Sequence, residues 1–262
     1  MRRDLYSESF LQETYYWWHL AKQELVIYLI KKYADNRKIK ILDLGCGTGA
    51  MLARLKPFGR VYGLDNSQLA VRLCQKRGLK NVSRHNMEQA PLPFSNKQFD
   101  VVLALDVIEH IRYPEKVICE VRRILKQNGF FIITVPAYKF LWSYWDVILG
   151  HSTRYNKKSI LALLRPNGFH PLFVSYFHTL IFIPSILIRL VKQTIYNKTT
   201  KSSREEIHSD FIPLPKWLNA LLLVVAGLER QILTKVPLPL GLSLITICQK
   251  EKIIKKVNHL KT

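Results

Sequence analysis

The clearest chemical signature in the sequence is a glycine loop with an acid at its start. The motif D-L-G-C-G-T-G runs from Asp43 to Gly49, between an apolar stretch at 40–44 and a helix-forming stretch at 50–55. Because glycine has no Cβ, a loop of this kind lets the backbone approach a ligand closely. Dinucleotide sites space their glycines as GxGxxG, a pattern that this loop fits poorly. Asp43 would repel a pyrophosphate and is better suited to meet a positively charged amino group.

A second acid follows about 20 residues after the loop, at the spacing typical of ribose-binding acids. Asp65 comes directly after the apolar stretch 61–64, which predicts a second strand. A carboxylate at the end of such a strand can accept hydrogen bonds from both ribose hydroxyls. Either acid alone would more often be a helix cap or a surface residue. In this order, the loop and the two acids predict a site for a nucleotide-type cofactor.

Strand and helix patterns alternate around these residues. Strongly apolar stretches at 99–105 and 130–135 predict buried strands, and residues 67–77 and 114–125 predict helices. Near-continuous apolar strands separated by helices are typical of a parallel sheet that is covered on both faces. Weaker patterns predict further strands at 82–85, 172–177 and 243–249. We therefore expect a single α/β core.

Charge and cysteine content limit the classes of protein. Lys and Arg number 40 against 19 Asp and Glu, a formal net charge of +21, so the surface should attract polyanions. The four cysteines are scattered, which argues against a disulfide framework or a zinc site and favours a reducing compartment. The N-terminus has no apolar stretch typical of a signal peptide. The expected location is the cytoplasm, with peripheral attachment to the inner membrane face as an option.

Residues 39–135 resemble the class I S-adenosylmethionine-dependent methyltransferases, especially the branch that acts on small molecules and quinone-type lipids. The resemblance rests on the glycine loop, G-L-D-N-S at 63–67, L-P-F at 92–94 and L-D-V-I-E-H at 105–110. It implies a Rossmann-like, seven-stranded, mostly parallel sheet with helices on both faces and a hairpin of the last two strands. It also implies S-adenosyl-L-methionine as the cofactor.

The same resemblance assigns roles to residues. The loop would hold the methionine part of the cofactor, Asp65 the ribose, and Asn66 would lie beside the adenine. An acid after the third strand often reads the adenine amino group, and here Glu88 is favoured over Asn86. The predicted cofactor-binding residues are Asp43, Gly45, Cys46, Gly47, Asp65, Asn66, Glu88, Leu105 and Asp106.

Two histidines are candidates for the acid–base chemistry that an oxygen nucleophile needs. His110 follows the fourth strand, and His151 lies in a later loop; a histidine titrates near neutrality. The structural alternatives are that His110 braces its loop and that His151 caps a helix or pairs with Asp146. Asp106, Glu109 and His110 also resemble a partial metal site, but without a second histidine pair we predict no metal.

An apolar insertion is predicted between the last two strands. Its stretches at 180–190 and 217–228 are short for a membrane span and suit a membrane interface, the wall of an apolar pocket or a helical cap on the sheet. We divide the chain into an N-terminal aromatic segment or lid (1–38), a methyltransferase core (39–178), the insertion (179–237) and a last strand with a basic tail (238–262). The aromatic segment could equally be a helix packed on the core.

The predicted function is methyl transfer to a small or lipid-like acceptor, at a hydroxyl oxygen, near an anionic membrane surface. One alternative is an RNA or DNA methyltransferase, which the basic surface suits. However, L-D-V-I at 105–108 replaces the Asn/Asp-Pro-Pro-aromatic motif of enzymes that methylate nucleic-acid amino groups. The other alternative is a non-catalytic, membrane-associated binding module, against which the intact acids and glycines argue. The sequence leaves the oligomeric state open.

Overall fold

The computed structural model describes residues 10–34, 38–89, 91–187 and 214–251. Residues 188–213 of the predicted insertion and the basic tail from 252 lie outside these ranges. The strands are β1 Ile39–Leu44, β2 Gly59–Asp65, β3 Val82–Arg84, β4 Phe99–Leu105, β5 Leu125–Pro136, β6 Phe169–Phe177 and β7 Ser243–Lys250. The helices are α1 Trp17–Tyr33, α2 Ala50–Leu55, α3 Gln68–Lys76, α4 Pro114–Ile124, α5 Tyr144–Leu149, α6 Lys157–Leu164 and α7 Lys216–Leu233.

The strands form one sheet in the order β3-β2-β1-β4-β5-β7-β6. The neighbours from β3 to β5 are parallel, whereas β7 is antiparallel to both β5 and β6. This confirms the predicted seven-stranded, mostly parallel sheet with a final antiparallel pair. The strand order reverses between β1 and β4, and ligands of open α/β sheets bind in the crevice at such a switch point.

Two apolar cores cover the two faces of the sheet. Alternate residues of β4 point to opposite sides: Val102 and Ala104 join one core with α4 and α6, and Val101 and Leu103 join the other with α1 and α2. All four side chains are completely buried. The near-continuous apolar sequence of β4 follows from this double coverage.

Local signals set the helix ends. The Ser67 hydroxyl accepts a hydrogen bond from the Ala70 N–H at the start of α3, as the sequence predicts, and Gly78 follows this helix with a φ of +71°. At the start of α6, the Asn156 side chain accepts from the Ser159 N–H. Pro114 occupies the first turn of α4, where its missing N–H costs no hydrogen bond.

The N-terminal helical pattern is interrupted. A helical turn at 10–12 ends in a tight turn, and α1 begins only at Trp17. The Tyr16 N–H donates to the Gln12 carbonyl oxygen, and Gln23 from α1 donates to the Glu13 carbonyl oxygen at 3.1 Å. These contacts hold the turn against α1, so the first turn and α1 are separate elements.

The described part of the segment between β6 and β7 is helical at 182–187 and in α7. Asn219 of α7 is bound to the end of the N-terminal turn, since it accepts from the Trp17 N–H and donates to the Tyr15 carbonyl oxygen, both at 2.9 Å. Arg230 of α7 pairs with Glu24 of α1 at 2.8 Å. The helix α7 is therefore packed on α1. Within the described residues, no helix combines the length and the apolar character needed to cross a bilayer.

Candidate active site

The glycine loop connects β1 to α2 and is folded tightly against β2. Both the Gly45 and Cys46 N–H groups donate to the carbonyl oxygen of Leu64, at 2.8 and 3.0 Å. Gly45 has a φ of +67°, and a Cβ there would lie 2.5 Å from the Val107 side chain. Gly47 has a φ of +53°, but a Cβ there would meet only Glu13, at 3.8 Å. Gly45 is therefore required by packing, whereas Gly47 keeps the backbone accessible.

Asp65 fixes this loop to the next crossover. Its side chain is buried, and its two carboxylate oxygens accept the Gly47 and Ser67 N–H groups, each at 2.9 Å. Both atoms therefore anchor the backbone around the space that the sequence assigns to a ribose. A carboxylate has about four acceptor positions, so hydroxyls can bind beside these N–H groups.

Asp43, at the start of the same loop, differs from Asp65 in its hydrogen bonding. It is buried, and its Oδ1 has no hydrogen-bond partner among the described residues. Burial raises its pKa to about 8; the nearby Asp65 and Glu13 carboxyls add to this rise, and Lys22 opposes it. A buried acceptor without a partner is costly, and a bound ammonium group would both pair with Oδ1 and favour the ionised form. The site therefore fits the amino group of a methionine moiety.

Asp106 directly follows β4 with a φ of +56°, and its side chain meets α1. Lys22 of α1 pairs with its Oδ2 at 2.5 Å, and the Thr134 hydroxyl donates to Oδ1 at 2.9 Å. Burial alone would raise the pKa of Asp106, but the charge and hydrogen bond of Lys22 lower it overall. The predicted residue is thus an ionised carboxylate whose partner, Lys22, the sequence analysis missed.

The N-terminal turn contacts the glycine loop directly. Glu13 accepts a short hydrogen bond from the Thr48 hydroxyl, and burial raises its pKa. Arg77, which directly follows α3, donates to the carbonyl oxygens of Thr48 and Phe10, at 2.9 and 2.6 Å. Phe10 and Glu13 therefore cover the loop on one side, while the neighbouring Trp17 is buried. The burial of Trp17 fits the interpretation of this segment as a helix packed on the core, and the lid stays a prediction.

The residues predicted to contact adenine lie at the surface. Asn66 and Glu88 are exposed; the Asn66 carbonyl accepts from Arg84, and Glu88 accepts from the Arg112 N–H, each at 3.0 Å. Asn86, the alternative to Glu88, accepts the Glu88 N–H at 3.1 Å. A cleft of about 430 Å³ opens next to Asp65; its lining residues are Asn66, Ser67, Gln68, Leu69, Arg72 and Arg84. The adenine roles stay predictions, as does that of the half-buried Leu105.

The two candidate histidines are neighbours in space. Their rings are 4.8 Å apart between centroids and nearly edge-on. Nδ1 of His110 binds the Gly150 carbonyl oxygen at 3.1 Å, and Nδ1 of His151 binds Asp146 at 2.8 Å. Burial, together with His151, lowers the pKa of His110, so this ring is neutral near pH 7. Both alternatives for His151 and His110, a pair with Asp146 and a brace for a loop, are therefore observed contacts, and they leave Nε2 of each ring for other chemistry.

Asp146 and Glu109, next to these histidines, differ sharply in their hydrogen bonding. Asp146 is completely buried, and Arg154 donates to both of its oxygens, at 2.7 and 3.0 Å. Burial alone would raise its pKa, but the hydrogen bonds from His151 and Arg154 lower it. Glu109 is also completely buried, yet neither carboxylate oxygen has a partner among the described residues, and burial raises its pKa well above the usual value.

A buried aromatic cluster lies on the α1 side of the site. His178 follows β6 with a φ of +60°, stacks on Trp18 with a centroid distance of 3.8 Å and meets the edge of Trp17. Burial, and to a lesser degree Lys22, lowers the pKa of His178 to about 3, while the charge of Asp106 opposes this shift. No motif in the sequence marks His178. The aromatic run at 17–19 marks only the tryptophans on which it packs.

Comparisons with known proteins bear on the family of the chain. Residues 42–133 match the family described as a methyltransferase domain. The protein MJ0638 of Methanocaldococcus jannaschii is 30% identical over 62% of this chain and 68% of its own length. A ubiquinone biosynthesis O-methyltransferase of Rickettsia prowazekii is 32% identical over 55% of this chain and 65% of its own length.

Solved structures share the fold. A methyltransferase of Archaeoglobus fulgidus superposes with a TM-score of 0.54 at 17% identity, covering 92% of this chain and 98% of its own. An N-methyltransferase of Haemonchus contortus, in complex with phosphomonomethylethanolamine and S-adenosylhomocysteine, has a TM-score of 0.53 at 18% identity, covering 87% of this chain and 52% of its own. The chain belongs to the class I S-adenosylmethionine-dependent methyltransferases, and its cofactor is S-adenosylmethionine.

Proposed function

We propose that this enzyme methylates a hydroxyl oxygen of a lipid-like acceptor at an anionic membrane surface. The observation that carries the proposal is an apolar stripe on α7, formed by Trp217, Leu221, Val224, Leu228 and Ile232. These residues are spaced by three or four positions and so share one face of the helix, and each is between 51% and 69% exposed. Such a helix, with its opposite side packed on protein, suits the boundary of a lipid headgroup layer.

The neighbouring segment extends the apolar surface. Leu180, Ile183 and Leu187 have the same helical spacing and are also more than half exposed. This segment is joined to α7 by the buried Glu229, which accepts from the Thr179 N–H at 3.0 Å. Two adjacent elements that each expose a row of large apolar side chains are unusual for a surface that faces only water.

The connection to the active site supports a lipid-like acceptor. Thr179, held by α7, directly follows His178, which stacks on Trp18 near Lys22 and Asp106. An acceptor could therefore lie with its apolar chain along the stripe and its polar head toward Asp106. The names of the Rickettsia relatives, which refer to ubiquinone biosynthesis, point to the same class of acceptor.

The sequence charge favours an anionic membrane. The net charge is +21, and the segment between the two apolar elements contains several basic residues outside the described ranges, namely Lys192, Lys198, Lys201 and Arg204. A Lys or Arg near an anionic bilayer contributes about 1 kcal/mol of attraction. A few such residues, added to the buried apolar area, would suffice for reversible attachment.

For the chemistry, the cofactor supplies an activated methyl group on a sulfonium, and the protein must position the acceptor and take up its proton. We propose that the cofactor is oriented by the backbone of the glycine loop together with Asp43 and Asp65. His110 and His151 are the proposed proton acceptors, because His110 is neutral at pH 7 and both rings present Nε2. A positioned base contributes about 10²–10⁴ in rate.

Vesicle flotation tests the membrane part of the proposal. The double variant Val224→Ser/Leu228→Ser removes the centre of the stripe, and Val147→Ser, at a valine on α5 that is as exposed as Val224, is the matched control. We expect wild type and the control to float with phosphatidylglycerol vesicles and the double variant to bind at least tenfold more weakly. Equal flotation of both variants, or no flotation of wild type, would contradict the proposal.

An acceptor assay tests the substrate class. Labelled S-adenosylmethionine is incubated with the enzyme and, separately, with a total lipid extract, a soluble metabolite extract and total RNA. We expect labelled product in the lipid fraction. Label in RNA alone would replace this proposal with the nucleic-acid methyltransferase alternative.

A further inference from the structure

We propose that Glu109, His110 and His151 form a binding site for one divalent transition-metal ion beside the cofactor pocket. Each residue offers one ligand atom, and these three atoms lie within 4.8 Å of one another. Ligands bound to Zn²⁺ at about 2.0–2.2 Å lie a little over 3 Å apart, so the cluster would need to close by an ångström or so. Two imidazoles and one carboxylate are a ligand set that such metals take, whereas Mg²⁺ prefers oxygen alone.

Glu109 gives the strongest reason to expect a cation. Its side chain is completely buried, and both carboxylate oxygens lack a hydrogen-bond partner among the described residues. A buried carboxylate of this kind is rare, because each unpaired polar atom costs free energy, and such groups are normally paired or bound to metal.

The outer contacts of the two histidines fit the same purpose. A metal-binding histidine almost always donates its second ring N–H to a carboxylate or a backbone carbonyl, which sets the tautomer and the ring orientation. Here Nδ1 of His151 faces the Asp146 carboxylate at 2.8 Å, and Nδ1 of His110 faces the Gly150 carbonyl oxygen at 3.1 Å. Both rings therefore present Nε2 as the ligand atom.

The surrounding structure holds these parts rigidly. Asp146 is fixed by two hydrogen bonds from Arg154, and the Ser152 N–H donates to the Glu109 carbonyl oxygen at 2.6 Å. The loop that carries His151 is thus tied both to its own helix and to the backbone of Glu109. The contact between Ser152 and Glu109 brings His151 next to Glu109 and His110. The local sequence around His110 contains no such further histidine, which is why it predicted no metal.

Three protein ligands leave a coordination position open, which is the arrangement of catalytic rather than structural zinc sites. Use of that position by a hydroxyl acceptor rests on the proposed function, and binding of the ion itself does not. Ion binding would replace the proton-acceptor role proposed above for His110 and His151, because the same Nε2 atoms would then bind the ion.

The test is a titration of the full-length protein, stripped with EDTA, with Zn²⁺ by calorimetry and with Co²⁺ by visible absorption. The test variants are Glu109→Gln and His151→Gln. His170→Gln alters an exposed histidine on β6 and controls for adventitious binding. We expect one ion per chain, tetrahedral or five-coordinate Co²⁺ bands, binding at least tenfold weaker in both test variants and no change in the control.

S-adenosylhomocysteine binding is measured on the same samples to show that each variant is folded. If either test variant fails that check, His110→Gln, which changes an exposed ring, takes its place. No ion bound by wild type, or equal affinity in the folded test variants and wild type, would overturn the proposal. Because the titration needs no acceptor, metal binding without lipid methylation would refute only the proposed function.

Discussion

Asp43 gives the sharpest quantitative prediction, because its charge state differs between the free and the ligand-bound site. In the free protein its pKa is raised to about 8, mainly by burial. At pH 6 it is therefore protonated, whereas pairing with the amino group of the cofactor requires the carboxylate. Ligand binding must then displace about one proton, and the affinity should rise with pH up to about 8.

The magnitude follows from linkage. Each pH unit below the pKa costs about 1.4 kcal/mol, or a factor of ten, to ionise the group. Between pH 6 and pH 7.5 the ionised fraction of Asp43, and with it the affinity for S-adenosylhomocysteine, should thus rise by about 25-fold. In the free protein the sign is opposite: a raised folded pKa means that stability is highest below the unfolded value and falls as pH rises from about 4 to about 8.

Calorimetry at pH 6, 6.5, 7 and 7.5, in buffers with different ionisation enthalpies, measures both the affinity and the protons released. Asp43→Asn should bind more weakly and show no slope. Glu13→Gln removes another carboxyl with a raised pKa in the same region and should keep the slope. A wild-type affinity independent of pH, with no proton release, would refute the reasoning, as would loss of the slope in Glu13→Gln rather than in Asp43→Asn.

Three further predictions follow from single contacts. Lys22→Met should lower the free energy of unfolding at pH 7 by about 1–3 kcal/mol, because Asp106 loses its charged partner. Since the pKa of Asp106 is lowered in the folded protein, the loss of stability should shrink as pH falls below about 4. Chemical denaturation measures both values, and equal losses at pH 3 and pH 7 would contradict the prediction. Gly45→Ala should abolish S-adenosylhomocysteine binding, since its Cβ would overlap a neighbouring side chain, whereas Gly227→Ala, in open space within α7, should raise stability by about 0.5–1 kcal/mol in thermal melts and leave binding intact. His110→Gln should reduce the methyl-transfer rate by about 10²–10⁴ with unchanged cofactor affinity, and wild-type turnover would exclude it from the reaction.

The glycine loop and the two acids could be predicted because their signals are local. A strand, a glycine run, a helix and the acid after the next strand define their own neighbourhood once the parallel sheet is recognised. The seven-stranded, mostly parallel sheet with its final antiparallel pair was also predictable, but only through the resemblance to a known family. Composition and periodicity alone supported no more than an α/β sheet.

The other parts of the site depend on contacts between distant elements. Lys22 is one basic residue among many in the sequence, and only the crossing of α1 over the end of β4 brings it to Asp106. His178 depends on the left-handed turn after β6, and His151 reaches His110 because α5 and its loop fold back on the sheet. Neither carboxylate oxygen of Glu109 has a hydrogen-bond partner among the described residues, and this follows from its burial in the folded chain. The sequence alone shows only an acid within a short motif.

The proposed transfer of a methyl group from S-adenosylmethionine to a hydroxyl of a lipid-like acceptor can be tested directly by mass spectrometry. A total lipid extract is analysed after incubation with the enzyme and trideuteromethyl-labelled S-adenosylmethionine, with Asp43→Asn as the inactive control. We expect a product 17 mass units heavier than its precursor, because CD3 replaces one hydrogen, with the label in an O-methyl group. Label recovered only in RNA, in protein or on a nitrogen atom would contradict it.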